Sequence, residues 1–558
     1  MNQKIWEIQP KIADDLVEQL LANRGVKLSE KCKFLSPQYS DLVNPQKIDG
    51  IGKAVSVILA AASGNQKVGI FADYDADGAT SAALLFEALK KLGILATLYI
   101  PTRQEGYGLN QKALQIFKKR GIDLIFILDS GIRNVAEIKL ARKLGFKVVV
   151  IDHHECGRVL PPAEVVIDPK KQKTADNLDI LSTGGLVFKL IQAVRSKSSK
   201  IGESFEKWSL DLVAISTISD IVPLLAENRI LTKYGLIVLQ KTRRAGLKSL
   251  YQIAQIDPKN INTYVVGFQI GPRINAPGRM NQATSSFYLL TTQNPQEAKE
   301  LARKLNEINV ERQNTLDQVL REAKKRLKEK KIDKNKVLLI DGQGWPEGVI
   351  GLVAGKLMEK YARPVLVASR KGDWLRGSAR SIDGYHLVEA FDGAKDLLTT
   401  YGGHARAAGF SLEVKHLENL YDRLLDIAEV KLKDQKLLPK LYLDVEIEPR
   451  EINWKTLKLI NQFEPFGLGN PRPTFCLPKI QFASYRTCGR ENKHLKGLLK
   501  TENGLNFSFI GFDLGWWGRL IKTEKFYDVA FYIDENYWNG ERFLELRLID
   551  IRNAGHKY

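Results

Sequence analysis

The chain has 558 residues, of which 84 are Lys or Arg and 64 are Asp or Glu, so its net charge is +20. This length exceeds what one hydrophobic core usually supports, and several domains are expected. The positive charge favours a polyanionic partner, with nucleic acid first and an acidic membrane surface second. No apolar stretch is long enough to span a bilayer, residues 1–11 lack the apolar region of a signal peptide, and the four cysteines form no Cys-x-x-Cys pair. We therefore predict a cytoplasmic protein without a membrane anchor, a disulfide framework or a zinc ribbon.

The first half of the chain has the pattern of an α/β domain. Residues 1–50 are mixed and are predicted to form a short helical lead-in. After residue 51, strands are predicted at 67–72, 96–100, 123–128, 147–151 and 164–167, and helices at 81–92, 110–120 and 134–144. This alternation predicts a parallel sheet with crossover helices.

Acidic residues and two histidines follow three of these predicted strands. They are Asp73, Asp75 and Asp77 after the first strand, Asp129 after the third, and Asp152, His153 and His154 after the fourth. Parallel strands bring their carboxyl ends to one sheet edge, where open α/β sheets bind their ligands. Like charges this close repel one another unless they are neutralised, and a hard divalent cation with oxygen ligands is the natural neutraliser. A further acid, Asp220, ends the helix predicted at 210–219, shortly before Pro223.

Residues 73–78 also match the beginning of a calcium-binding helix-loop-helix loop. That loop requires Glu at its twelfth position. The twelfth residue counted from Asp73 is Leu84, and a strand rather than a helix is predicted before the acids. This excludes the calcium loop, and solvated turn residues remain as the purely structural alternative.

The second half of the chain begins with a long helix. From about residue 295 to 331 an apolar stripe runs through a heavily charged segment without internal Gly or Pro, which predicts an exposed helix joining two bodies. A second α/β unit follows, with strands at 336–341 and 364–369 and helices at 348–361 and 385–399. Between and after them, residues 376–381 and 401–406 combine Gly with Arg, Ser and His, which suits the binding of a phosphate.

Short strands rich in aromatic residues occupy the C-terminal part. They are predicted at 442–447, 479–485, 505–512, 527–533 and 542–551, with basic residues between the aromatic ones. A small barrel of this composition is the usual platform for single-stranded nucleic acid. At least half of these aromatic side chains are expected to form its core.

Taken together, the motifs resemble a known enzyme family. Asp73-Tyr-Asp-Ala-Asp-Gly, Asp129-Ser-Gly-Ile, Asp152-His-His and Asp220-Ile-Val-Pro resemble the four motifs of the DHH phosphoesterase superfamily. Within that superfamily, RecJ is a family of bacterial single-strand-specific exonucleases. Its further signatures resemble residues 271–279, 345–351, 402–409 and 464–471. The resemblance covers nearly the whole chain. It implies a lead-in (1–50), a DHH domain (51–294), a connecting helix (295–335), a DHH-associated domain (336–435) and an OB-fold (436–558).

The resemblance also implies roles for individual residues. Positions matching metal ligands are Asp75, Asp77, Asp129, His153 and Asp220, with Asp73 close by, and His154 matches the position that holds or activates the reacting phosphate. Positions matching nucleic-acid contacts are Arg103, Tyr107, Arg273, Asn275, Arg279, Ser378, Arg380 and His404. Many relatives have His four residues before the Asp75 equivalent, where this chain has Phe71, so we expect fewer protein ligands for one metal ion.

These residue types suit hydrolysis by two metal ions, Mn²⁺ or Mg²⁺, about 4 Å apart and bridged by a carboxylate, for which Asp129 is the candidate. The resemblance implies 5′→3′ degradation of single-stranded DNA to 5′-mononucleotides in repair and recombination. It also implies a helicase and a single-strand-binding protein as partners, and a monomer is expected.

Two other functions are weighed against this one. The first is a DHH phosphodiesterase for very short oligonucleotides or cyclic dinucleotides, which would need neither the C-terminal barrel nor the basic charge. The second is a catalytically inactive single-strand-binding scaffold, which would be expected to lose the acids, whereas every acidic motif is present here.

Overall fold

The structure, a computed structural model, describes residues 4–171, 176–280 and 282–555. The strands are β1 Ile5–Ile8, β2 Val68–Ala72, β3 Ala96–Tyr99, β4 Leu124–Leu128, β5 Lys147–Ile151, β6 Val165–Ile167, β7 Leu338–Gln343, β8 Val365–Lys371, β9 Trp374–Arg380, β10 Thr400–Gly403, β11 Ala407–Glu413, β12 Lys440–Leu443, β13 Val445–Glu446, β14 Phe475–Cys488, β15 His494–Thr501, β16 Asn506–Gly511, β17 Tyr527–Trp538 and β18 Glu541–Asn553. The α-helices are α1 Leu16–Asn23, α2 Lys31–Leu35, α3 Ile51–Ser63, α4 Ala76–Leu92, α5 Gln111–Lys119, α6 Val135–Lys143, α7 Thr183–Arg195, α8 Glu203–Trp208, α9 Leu210–Ser219, α10 Ala226–Gln240, α11 Ala245–Ala254, α12 Thr263–Val265, α13 Gly271–Arg279, α14 Thr284–Thr291, α15 Pro295–Glu329, α16 Glu347–Tyr361, α17 Leu387–Asp392, α18 Leu417–Lys431 and α19 Trp454–Asn461. Within these described ranges, no helix is both long and apolar enough to cross a bilayer.

The chain folds into two compact units. The first consists mainly of Val43–Val222 and Tyr234–Pro439. The second combines Lys4–Leu42 and Pro223–Lys233 with the chain from Lys440 onward. Each unit therefore draws on segments that are far apart in the sequence.

The first sheet of the first unit is parallel, as predicted. Its strand order is β3-β2-β4-β5-β6, and each predicted strand agrees with the observed one to within a residue. Helix α4 begins at Ala76, five residues earlier than predicted, because the side chain of Asp75 caps it by accepting a hydrogen bond from the Gly78 amide. The acidic motif thus spans the turn after β2 and the first turn of α4, with Asp77 inside the helix.

Helices cover most of the chain between the first sheet and the second. α9 has its predicted bounds, whereas α7, α8 and α10 to α14 were not predicted. A π-helical turn, Val266–Ile270, joins α12 to α13 without a break. The long helix is confirmed as α15, which has 35 residues and buries an apolar stripe that includes Ala298, Leu305 and Leu316.

The second sheet is mixed, with the order β10-β11-β9-β8-β7, and only β7 and β8 are parallel. The glycine-containing segment 376–381, for which no strand was predicted, lies largely on β9. Gly377 is needed there because a Cβ would approach the Phe410 ring to 2.0 Å, so it marks a close approach inside a strand rather than a turn. The helix predicted at 385–399 is limited to α17, which ends before Gly393.

The second unit contains the predicted barrel. Its strands pair in the order β14-β15-β16-β18-β17, and the pairing of β17 with β14 closes the barrel. β15 was missed, since its residues, His-Leu-Lys-Gly-Leu-Leu-Lys-Thr, lack the aromatic residues that marked the other strands. The N-terminal segment is not simply helical, because β1 pairs in parallel with β12 of the same unit.

A buried ion pair links the N-terminal helix of this unit to its C-terminal part. The Arg24 guanidinium donates to the Asp444 carboxylate at 2.8 Å, to the Asn470 side chain at 2.9 Å and to the Pro471 carbonyl at 2.7 Å. Because Arg24 and Asp444 are almost completely buried, neither charge can be solvated if its partner is removed.

We expect Asp444→Ala to lower the free energy of unfolding of the second unit by about 3 kcal/mol, since it leaves the buried Arg24 charge without its counter-ion. Urea denaturation followed by tryptophan fluorescence measures this. The control is Asp14→Ala, which removes an exposed ion pair with Lys11 and should change stability by less than about 0.5 kcal/mol. Equal effects of the two substitutions would contradict the structural role given to the buried pair.

Candidate active site

The first three acids lie in the acidic loop, residues 73–77, which comprises the turn after β2 and the first turn of α4. A neighbouring helix, α13, holds this loop from outside the sheet. Asn275 Oδ1 accepts a 2.6 Å hydrogen bond from the Ala76 amide, and a Cβ on Gly278 would lie 2.0 Å from the Tyr74 carbonyl oxygen. Only glycine permits this approach, so α13 and the acidic loop are fixed relative to each other.

Asp77 is held by groups that the sequence did not identify. Its carboxylate accepts hydrogen bonds from the amides of Thr183 and Gly184, at 2.9 and 3.0 Å, and from the Ser216 hydroxyl at 2.6 Å. The two amides belong to the first turn of α7, whose positive dipole end stabilises a negative charge. No motif marks this network in the sequence, because its members lie more than 100 residues from Asp77.

Asp129 follows β4 and has a left-handed backbone conformation, with φ of 58°. Its side chain is buried and accepts a hydrogen bond from the Thr183 hydroxyl at 3.1 Å. Tyr107 donates to its backbone carbonyl at 3.0 Å. A non-glycine residue in this conformation costs free energy, and such residues cluster at functional sites.

The two histidines have different surroundings. His153 Nε2 lies 3.3 Å from Asp220 Oδ2, 3.5 Å from Asp129 Oδ1 and 3.8 Å from Asp77 Oδ2. It faces three carboxylates that come from separate elements. Burial lowers its pKa, which favours the neutral imidazole that binds metal ions.

His154 instead pairs with Asp152, with 2.7 Å between Nδ1 and Oδ1. Burial lowers the pKa of His154, but the hydrogen bond and charge of Asp152 outweigh this and raise it to about 9. Asp152 is itself fixed by the amides of His153 and Ile132. Asp152 therefore orients His154 and is not free to serve as a metal ligand.

Within the described ranges, the acids and histidines form three overlapping groups of potential ligand atoms. The atoms of each group lie within 4.8 Å of one another. The groups are Asp73, Asp75 and Asp129; Asp129, His153 and His154; and Asp77, His153 and Asp220. Among the described residues, Asp73 Oδ1 and His153 Nε2 are buried without a hydrogen-bond partner. Burial, and then the neighbouring carboxylates, raise the pKa values of Asp73, Asp129 and Asp220. These oxygen and imidazole ligands fit Mn²⁺ or Mg²⁺, and Asp129 and His153 each belong to two groups.

Phe71, at the position where the family resemblance implied a histidine, does not face this cluster. It is fully buried in the hydrophobic core beside the first sheet and stacks on Tyr99, with 6.0 Å between ring centroids. The chain therefore contributes no ligand from this position.

A group of arginines lies beside the acids. Arg279 donates to the Gly348 carbonyl at the start of α16, where a Cβ on Gly348 would come within 2.4 Å of the Arg279 carbonyl oxygen. Burial lowers the pKa of Arg279 to about 10, and the positive charges of Arg103 and Arg312 add to this effect. Arg380 is close to the same helix, because a Cβ on Gly351 would lie 3.3 Å from its Nη2. Several cations are thus confined together.

The partners of these arginines are neutral. Arg380 donates to Ser378 Oγ at 3.2 Å and to the Ala379 carbonyl, and Arg273 donates to Asn306 Oδ1 at 3.0 Å and to the Gln269 carbonyl. Arg312 donates to Asn309 at 2.9 Å, while its Nε and that of Arg103 are buried without a partner among the described residues. Arg312 was not predicted from the sequence, since it lies in the middle of a highly charged helix. Such guanidinium groups are available for an anionic ligand.

The remaining predicted residues lie in two places. Tyr107 contacts His154, with 3.3 Å between its hydroxyl oxygen and Nδ1, and Arg103 lies over the Tyr74 ring at 5.0 Å. His404 lies in the turn between β10 and β11. Burial lowers its pKa, and the positive charges of Arg133 and His154 lower it further. The influence of His154 indicates that His404 lies near the two histidines. Arg273 is near the start of α13, where its side chain reaches α15 rather than the acids.

Sequence models of three domain families match the chain. The DHH family N-terminal domain matches residues 67–217, the DHHA1 domain residues 334–433 and the RecJ OB domain residues 443–550.

Curated relatives match over nearly the whole chain. One from Bacillus subtilis is 34% identical over 540 residues, covering 96% of this chain and 67% of the relative. One from Escherichia coli is 31% identical over 560 residues, covering 96% and 95%. Both are named single-stranded-DNA-specific exonuclease RecJ.

Solved structures agree. The crystal structure of RecJ from Thermus thermophilus in complex with Mn²⁺ has a TM-score of 0.82 at 26% identity and covers 99% of this chain and 80% of its own. A manganese-bound exonuclease RecJ has a TM-score of 0.61 at 30% identity, covering 70% of this chain and 98% of its own. With full-length relatives above 30% identity and this shared fold, the chain belongs to the RecJ family.

Proposed function

We propose that this protein is a single-stranded-DNA-specific exonuclease that acts from the 5′ end and releases 5′-mononucleotides. The observation that carries the proposal is the overlap of three ligand groups at one sheet edge, beside arginines whose partners are neutral. Membership of the RecJ family supports the reaction and the substrate. The 5′→3′ direction is our own extension of that family relationship.

We assign two divalent cations, Mn²⁺ or Mg²⁺, to the acidic cluster. The ligands would be Asp75, Asp77, Asp129, His153 and Asp220, with Asp73 close by. Asp129, which belongs to two of the ligand groups, is the proposed bridge. When bound, such a pair of cations lowers the pKa of a water molecule and stabilises both the attacking and the leaving oxygen of an in-line displacement.

The protein's own groups would position the phosphate. Asp152 fixes His154 through Nδ1 and leaves Nε2 available for a phosphate oxygen. Arg279, Ser378 and Arg380 lie around the first turn of α16, where a phosphate would gain charge-assisted hydrogen bonds. We further assign Arg103, Tyr107, Arg273, Asn275 and His404 to contacts with the strand.

We propose that the domains divide this work as the motifs suggest. The DHH domain (51–294) holds the metal ions, and the DHH-associated domain (336–435), joined to it by the helix of 295–335, supplies phosphate contacts. A narrow cleft between these two would admit one strand and exclude a duplex. The OB-fold (436–558) would bind single-stranded DNA, and residues 1–50 are a lead-in.

In the cell, we propose a cytoplasmic monomer that acts in DNA repair and recombination. A helicase that unwinds duplex and a protein that binds single strands are the expected partners, because the enzyme itself would need an unpaired 5′ end. These assignments rest on family relationship.

A single-stranded oligonucleotide labelled at either end tests the reaction with Mn²⁺, with Mg²⁺ and with chelator. We expect metal-dependent shortening from the 5′ end and a blunt duplex that remains intact. Tight binding without cleavage in any metal would instead indicate a scaffold. Cleavage limited to di- and trinucleotides would indicate a phosphodiesterase for small substrates.

Asp129→Ala should abolish cleavage, with at least roughly a thousandfold lower kcat, while strand binding stays within about threefold of wild type. The reason is that it removes a ligand shared by two groups and leaves the arginines in place. Gel-based cleavage and fluorescence anisotropy in parallel measure the two effects. A variant that cuts as fast as the wild type would refute the bridging role.

Mn²⁺ should raise the Tm of the wild-type protein by several degrees, because it relieves repulsion among the buried carboxylates. Differential scanning fluorimetry with and without chelator measures this shift. Asp123→Ala is the matched control. Asp123 precedes the same strand, β4, at its opposite end, so this variant should keep the full shift that Asp129→Ala loses.

A further inference from the structure

An exposed pair of aromatic side chains lies on the helical segment that leads into α13. Tyr264 and Phe268 are 62% and 67% exposed, and their rings are stacked with centroids 4.8 Å apart and an interplanar angle of 28°. Two large aromatic residues one turn apart normally contribute to a core, whereas these present their rings to solvent. Their exposure calls for a ligand that binds flat aromatic faces.

Two structural connections link the aromatic pair to the acids. Phe268 lies in the π-helical turn Val266–Ile270, and a Cβ on Gly267 in the same turn would be 3.7 Å from Ile218, two residues before Asp220. The turn continues without a break into α13, where Asn275 binds the Ala76 amide of the acidic loop. From Phe268 to Asn275 is about 10 Å along the helix axis at about 1.5 Å per residue.

Along the helical segment, a cation lies between the aromatic pair and Asn275. The Arg273 side chain folds back along the helix, so that its Nη1 donates to the carbonyl of Gln269, the neighbour of Phe268, at 2.7 Å. Its Nε is held by Asn306 of α15, so the guanidinium is fixed by neutral partners. The segment therefore presents, in order, a stacked aromatic face, a positive charge and the acidic loop.

We infer that Tyr264 and Phe268 form a stacking platform for a base of the single-stranded DNA a short distance from the cleaved bond, with Arg273 on the adjoining phosphate. This inference rests on the proposed function, since it assigns part of the substrate to a surface beside the same site. Nucleobases suit the pair because every base has a flat π-face. The neighbouring guanidinium and the net charge of +20 favour a polyanion over a neutral apolar peptide.

The platform can be tested without cleavage. A single-stranded oligonucleotide with 2-aminopurine moved through its first ten positions is titrated with wild-type protein in chelator. Stacking on the pair should quench the fluorescence at one or two adjacent positions, and Tyr264→Ala/Phe268→Ala should abolish that quenching and weaken binding about tenfold. Uniform quenching at all positions, or quenching unchanged in the double variant, would overturn the inference.

Two further variants separate stacking from a structural or merely apolar role. Tyr264→Leu/Phe268→Leu keeps apolar side chains but removes the rings, and should lose affinity as the alanine variant does. Tyr264→Phe/Phe268→Tyr keeps both rings and should bind like the wild type. A leucine variant with wild-type affinity would contradict a base-stacking role.

Trp374→Ala is the matched control. Trp374 is also half-exposed, but it lies at the start of β9, about 20 Å from Arg380 at the end of that strand. This variant should leave the affinity for the oligonucleotide unchanged.

The outcome of the binding test does not depend on cleavage of the strand. Quenching by a protein that degrades no strand would refute the exonuclease function and leave the platform standing. Degradation of single strands without any position-specific quenching would refute the platform alone.

Discussion

Repulsion among buried carboxylates is the constraint on which the rest of the first unit depends. The carboxyl ends of β2 and β4 and the end of α9 bring acids to one edge of the parallel sheet, where burial strengthens their repulsion. The protein offsets part of this cost with donors, above all the amides of α7 that bind Asp77. A divalent cation bound among the acids would offset more of it.

The same constraint explains how the charges are divided. The first sheet collects the acids, while α13, α15 and the second sheet provide arginines that hydrogen-bond to neutral groups. If those arginines lay within reach of the acids they would form ion pairs, and neither the metal ions nor a phosphate could bind. Close backbone contacts at Gly278 and Gly348 hold the elements that carry the arginines near the acids without letting the charges form ion pairs. The first unit thus holds potential metal ligands and guanidinium groups close together.

The sequence predicted the elements whose signals are local. Apolar runs marked the strands of the first sheet, and the acids after them predicted the cluster of potential metal ligands, because parallel strands must share an edge. It could not reveal the support of Asp77, which comes from Thr183 and Ser216, or that segment 376–381 is a strand under Phe410. Those features depend on packing between distant segments. The unpredicted role of residues 4–42, which join the second unit, has the same origin.

One continuous helical segment connects these parts. It begins with the exposed rings of Tyr264 and Phe268 and continues with Arg273, whose guanidinium is held by α15. Asn275 then accepts a hydrogen bond from the acidic loop, and the Arg279 guanidinium lies beside α16. Regular helix geometry fixes the spacing of these groups. A DNA strand bound along them would therefore be positioned by one rigid element rather than by an adjustable interface between domains. The π-helical turn within the segment supports this interpretation, since such turns are costly and are often found at functional sites.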